Sequence, residues 1–117
     1  MIYKTFNNLE EIEPYYDKKS NTYYFEDNGV ILNVLFLFDL KITSNIFANN
    51  IKAKDIECLN ISASIIEAFN INAISIIAFD INALHVNVSD KIVYSGELNI
   101  DYSIKCGRLV YNKLSNW

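Results

Sequence analysis

From Ser44 to Val88 the chain repeats a five-residue unit nine times without a slip: SNIFA, NNIKA, KDIEC, LNISA, SIIEA, FNINA, ISIIA, FDINA, LHVNV. The third place is Ile in eight units and Val86 in the ninth, and the fifth is Ala in seven, with Cys58 and Val88 as the exceptions. The second place is Asn or Asp in six units, the others being Ile65, Ser75 and His85. An internal repeat this strict means that each unit stacks on a neighbour to bury a face it cannot bury alone.

The spacing within the unit selects the local conformation. Ile and Ala stand two apart, and in an extended chain residues i and i+2 point to one side. Both therefore face inward, and the residue between them (Lys52, Glu57, Asn72, Asn82) faces out. A helix fails this test: five residues turn it by about 500°, so the Ile column would walk about 140° per unit and form no stripe. Ordinary hairpins fail as well, since residues 44–88 contain no Gly or Pro to turn the chain back. What remains is a parallel β-helix, a chain that bends at regular intervals and pairs each segment with one a full coil away.

These units resemble those of the pentapeptide-repeat proteins, in the Ile-x-Ala-x-Asn form. The resemblance covers residues 44–88 and extends after a break to LNIDY and SIKC at residues 98–106. It implies an all-β fold, a right-handed, four-sided β-helix with five residues per side and a coil of 20. On that coil Asn45, Ile65 and His85 share a column, Asn50 and Asn70 another, Asn60 lies under Asp80, and Leu59 lies under Phe79. Stacked amides then hydrogen-bond along the axis. The order of large and small residues is reversed relative to the usual family unit.

A solenoid needs caps, because its ends expose unpaired strand edges. The 117 residues make one domain, divided into an N-terminal cap (1–43), coils (44–106) and a C-terminal cap (107–117). Asn8 with Glu11 three residues later reads as a helix start that Pro14 ends early. Asp27-Asn28-Gly29 between two β-rich runs reads as a hairpin over Tyr23–Phe38, and the whole N-terminal part as a small α/β-hairpin cap. Leu109–Trp117 is expected to be a last strand or loop folding over the other end, and a homodimer through that end is a further expectation. There is no apolar run long enough to span a membrane and no secretion signal at Met1–Asn8. Two core-like cysteines, Cys58 and Cys106, then suggest a reducing cytoplasm, and the resemblance implies that of a bacterial or phage-infected cell.

The chain offers no assembled chemistry. His85 is the single histidine and replaces Asn in a repeat column, so no His-based metal set or catalytic triad is expected. No CxxC, phosphate-binding glycine loop or HExxH occurs. The expectation is no enzyme, no cofactor, no metal and no catalytic residue. A net charge of −4 disfavours direct contact with nucleic acid, whose phosphates recruit Lys and Arg, but suits a protein partner with a basic site. The candidate partner surface is Glu10, Glu11, Glu13, Tyr15, Tyr16 and Asp17, with Asp55, Glu57, Glu67 and Asp80 on the coils. The first places Phe69, Ile74, Phe79 and Leu84 form an apolar outward set, a candidate for self-association or for cover by Tyr102, Leu109, Val110, Tyr111 and Trp117.

Two functions follow. The resemblance implies an inhibitor or protector of a nucleic-acid-processing enzyme, by DNA mimicry or as a phage counter-defence protein of the anti-CRISPR kind. Against pure mimicry, the repeat carries a net charge of only −2, thin beside duplex DNA at one charge per ~1.7 Å. The alternative is a structural module that dimerises or stacks through its apolar coil faces.

Overall fold

The computed structural model describes residues 2–112. In chain order it comprises β1 (Lys4–Phe6), α1 (Leu9–Ile12), a 3-10 turn (Glu13–Tyr15), β2 (Tyr16–Asp17), β3 (Thr22–Tyr24), β4 (Glu26–Asp27) and β5 (Val30–Ile31). There follow β6 (Val34–Phe36), β7 (Leu40–Lys41), β8 (Asn45–Phe47), β9 (Asn50–Lys52), β10 (Asp55–Glu57), β11 (Asn60–Glu67), β12 (Asn70–Tyr94) and β13 (Leu98–Tyr111). The molecule is a β-solenoid of about five turns. A straight strand of the length of β12 would span ~80 Å, yet no dimension of the molecule exceeds 34 Å. The long strands therefore bend at every corner and continue round the coil.

The coil has three sides, not four. Asp55 pairs with Asn70, Asn60 with Ser75, Ile61 with Ile46 and Ile65 with Asn50, a step of 15 residues each time. One side stacks β1, β6, β9, the end of β11, the middle of β12 and the start of β13. A second stacks β3, β8 and the start of β11, and a third stacks β7, β10 and the start of β12. The columns expected from a 20-residue coil are thus replaced. Asn45 lies under Asn60 and Asn50 under Ile65, while Asn70 lies over Asp55. A period of five is compatible with 15 and with 20, because either step returns the chain to the same place in the unit.

Inside, the repeat behaves as its spacing requires. Ile51, Ile66, Ile76 and Ile81 are fully buried, and Ile46, Ile56, Ile61 and Ile71 are 1% exposed. Each buried Ile side chain is worth about 1.5–3 kcal/mol relative to an exposed one. The fifth-place Ala48, Cys58, Ala68, Ala78 and Ala83 line the same interior, and Val86, Val88 and Ile92 continue it.

The N-terminal part differs from the expected cap. Tyr23–Tyr24 and Val34–Phe36 do not pair with each other: β3 joins β8 and β6 joins β9, both parallel, so these strands are early coils. Parallel pairing extends a sheet whose edge is already waiting, and it wins over a long hairpin. The hairpin that does form is short, β4 with β5, around Asn28 and Gly29 with φ of 51° and 78°. Positive φ at both central residues is the hairpin turn that Asn-Gly favours. The end itself is closed by α1 and the 3-10 turn, which run from β1 to β2 and bury Ile12 in the same core as Phe6, Phe25 and Phe36. The Asn8 side chain accepts the Glu11 N–H, as its position suggested, and Pro14 follows in the 3-10 turn.

Candidate functional site

At the opposite end nothing among the described residues plays the part of α1. β13 pairs with β12 along one edge, and its other edge faces away from the coil. Arg108–Tyr111 is not a lid over the end but the last side of the last coil, since Ile92 pairs with Leu109 and Tyr94 with Tyr111. The part of the expected cap that includes Trp117 lies outside the described residues.

The registers identify which side chains of β13 point inward. Leu98, Ile100, Ile104, Cys106 and Leu109 pair with Ile81, Ala83, Val86, Val88 and Ile92, all buried. These five are the interior ring of the final coil, yet Ile104 is 39% and Leu109 46% exposed. The N-terminal counterparts Phe6, Phe25 and Phe36 are at most 2% exposed. An unpaired strand edge and an uncovered interior thus coincide at one end of the solenoid. Exposed edges pair readily with other strands, and exposed apolar patches mark interaction sites.

The final coil reaches this geometry with irregularities. Registers of 17 and 18 residues replace 15 between β12 and β13, with shifts at Ala83/His85 and Val88/Lys91. Ser89, Asp90 and Gly107 sit at the second of these shifts, and Gly96 lies at the Phe79–Asp80 corner, where its N–H donates to the Phe79 carbonyl. A Cβ on Gly107 would lie 2.5 Å from the Asp90 carbonyl oxygen and 2.9 Å from that of Ser89, so only glycine lets the corner close.

The apolar first-place residues are not one surface. Leu59 and Ile74 stack on one edge of the prism and Phe69 and Leu84 on another, while Phe79 follows Ser64 on the third. Phe69, Ile74 and Phe79 are exposed, so the C-terminal strand does not cover them. Phe69 and Leu84 border an open groove of about 850 Å³ with Leu37, Phe38, Ala53 and Ala83.

The acidic candidates also separate. Glu10, Glu11 and Glu13 are exposed together at the closed end, although Glu11 accepts the Asn7 N–H at 2.7 Å. Tyr15 packs on Phe6 and Phe25 and donates to Asp27. Tyr16 stacks near Tyr23 and donates to Asn21 at 2.7 Å. Asp17 accepts from Lys19 N–H and Ser20 Oγ. These serve the cap's own structure. On the coils Asp55 accepts from Asn70 at 2.7 Å, and Glu57 and Glu67 pair with Lys41 and Lys52. Asp80 accepts the Glu97 N–H at 2.7 Å. Asp55 and Glu57 lie on one side, Glu67 and Asp80 on another, so no continuous acidic track forms.

His85 continues the third-side column, with Nδ1 2.8 Å from Ser103 Oγ and its ring stacked near Tyr102. Its partner is the next rung of a ladder. Among the described residues no group of three His, Cys, Asp or Glu side chains is placed to hold a metal ion. Both cysteines are free, and burial, helped by the charge of Glu57, pushes the Cys58 thiol up to about 12. No helix is long and apolar enough to cross a membrane.

The sequence points to this end as one to be covered by the C-terminal segment or by a second copy, and Ile104-x-Cys106 carries the Ile-x-small signal of the repeat. Pattern identifies inward residues, but whether a further layer covers them is a property of the assembled coil. No family model, curated protein or solved structure matches the chain.

Proposed function

We propose that this protein is a non-enzymatic interaction module that works through its open coil end, adding a partner strand to β13 over the ring of Leu98, Ile100, Ile104, Cys106 and Leu109. The observation that carries this reading is the coincidence of a 14-residue strand with one unpaired edge and exposed core positions at one end of a solenoid closed at the other. Main-chain hydrogen bonds to the edge would supply affinity, and the apolar ring the buried area. Kinship with pentapeptide-repeat proteins is supported by the unbroken five-residue unit, with the three-sided coil as a departure. The two free thiols fit a reducing compartment.

A second reading keeps the acidic end as an inhibitory surface for a basic, nucleic-acid-binding enzyme. It is supported by Glu10, Glu11 and Glu13 standing exposed together, and it has lost the coil carboxylates, which are divided between two sides. One experiment separates the readings. Complexes of the protein, with itself or with another chain, are measured by light scattering for Ile104→Lys/Leu109→Lys and for Glu10→Lys/Glu13→Lys. The open-end reading expects loss in the first variant and retention in the second. The reverse result overturns it in favour of the acidic end.

A further inference from the structure

We infer that the open groove bordered by Phe69 and Leu84 is a second interaction surface, which holds one amphipathic α-helix of a partner protein along the solenoid axis. It is separate from the free edge of β13 and does not depend on the open-end reading.

The groove follows from the repeat. Its floor runs over the fifth places Ala68 and Ala83, 8% and 6% exposed, whose side chains point into the core, so nothing fills the space outside them. One wall is the fourth-place column of Lys52, Glu67, Asn82 and Asn99, stacked rung on rung. The other is the first-place column of Lys54, Phe69 and Leu84. Leu35 pairs with Lys52, which brings Leu37 in line with Lys54, and Ile100 pairs with Ala83, which sets Asp101 beside Leu84. Leu37 and Phe69 are 60% and 53% exposed. The four rung steps from Leu35 to Asn99 span about 19 Å at ~4.8 Å each.

Backbone satisfaction selects the conformation of the occupant. The floor offers no strand edge, because the N–H groups of Ala53, Ala68, Phe69 and Leu84 already donate to the neighbouring coil. A peptide pressed onto it must satisfy its own N–H and C=O groups, which a helix does and an isolated extended strand does not. Length agrees, since about 19 Å takes about 13 residues of helix. That is enough for apolar anchors at i, i+3, i+4 and i+7 to meet Leu37, Phe69 and Leu84. A small ligand needs a site that encloses most of its surface, and a trough open along its length covers one side.

Charge selects the direction. Lys52 and Glu67 neutralise each other at 3.9 Å. Lys54 and Asp101 are exposed, stand toward opposite ends of the apolar wall and form no ion pair among the described residues. Asp39, also at the rim, falls in line with Asp55 on the next side, because Leu40 pairs with Ile56. An acidic first turn and a basic last turn are the charge order that suits a helix's own dipole. Such a helix meets both groups when it runs from Lys54 to Asp101. Its side chains carry whole charges against about half a charge at each helix end, so they decide the direction.

The probe is a synthetic peptide of about 14 residues, with leucines at i, i+3, i+4 and i+7, glutamates in its first turn and lysines in its last. It is titrated against the full chain by fluorescence anisotropy and circular dichroism, and saturable binding with a gain of helicity is expected. Phe69→Asp and Lys54→Glu, both at exposed positions, should raise the Kd at least about tenfold and about fivefold. A peptide with lysines in place of the first-turn glutamates should bind Lys54→Glu more tightly than the parent chain, which excludes misfolding as the cause. Ile104→Lys/Leu109→Lys should leave the peptide's Kd unchanged, so the groove and the open end are read separately.

Absence of saturable binding overturns the inference. So does binding that Phe69→Asp and Lys54→Glu leave unchanged, and binding without a gain of helicity, which would make the occupant extended. If the peptide does not bind and the chain self-associates in a manner lost in Phe69→Asp, the groove belongs to a second copy and the partner helix falls.

Discussion

At the scale of the residue, the repeat divides isoleucines by position rather than by hydrophobicity. Ile66 at a third place is fully buried, whereas Ile77 at a fourth place is 52% exposed. Both are β-branched and suit a strand equally, so the difference between them is burial. Ile66→Ala should cost about 2–5 kcal/mol through lost transfer energy and a cavity in a narrow core. Ile77→Ala should stay within about 0.5 kcal/mol. Urea unfolding of the two variants checks this, and equal losses would show that the inward assignment is wrong.

At the scale of the element, the coils are tied along the axis by side-chain ladders. Asn60 donates to Asn45 at 3.0 Å, Asn70 to Asp55 at 2.7 Å, Ser64 to Asn49 at 2.8 Å and Asn99 to Asn82 at 2.8 Å. The ion pairs Lys41–Glu57 and Lys52–Glu67, at 3.8 and 3.9 Å between exposed groups, add little, because water screens them. The Asp55–Asn70 rung gives the sharpest test. Asn70→Asp replaces a donor with a second carboxylate, and two like charges in contact raise the folded-state pKa of one. The penalty is therefore present above the ordinary carboxylate range near 4 and relieved as pH falls through the raised value. The variant should lose about 1–3 kcal/mol at pH 7 and approach the parent near pH 4. A loss independent of pH would mean that the rung contributes shape rather than hydrogen bonding.

At the scale of the whole molecule, the solenoid is asymmetric. One end carries an aromatic plug in which Phe6, Phe25 and Phe36 meet at 5.5–5.9 Å between ring centroids. The other end exposes a strand with a neighbour on one edge. Local stability follows the number of stacked neighbours. In dilute solution the amides of β13 should therefore exchange with solvent fastest among the coil strands, and those around Ile61–Ile81 slowest. Hydrogen exchange across a dilution series reads the gradient. Uniform protection of β13 at every dilution would mean that the chain itself covers the end.

The five-residue period, taken by itself, determined that the chain is an all-β solenoid and which residues face its core, because inward orientation follows from alternation along a strand. Asn8 with Glu11, and Asn28-Gly29, likewise announced a helix start and a turn, because both act within a few residues. Tertiary structure alone decided the number of sides, since steps of 15 and 20 keep the same phase. It also drew β3 and β6 out of the expected hairpin, because an available parallel edge offered them more pairing than each other. And it scattered Phe69, Ile74, Phe79 and Leu84 over separate edges and left Ile104 and Leu109 uncovered. Repetition specifies what every coil has in common; which coil lacks a neighbour depends on where the stack stops.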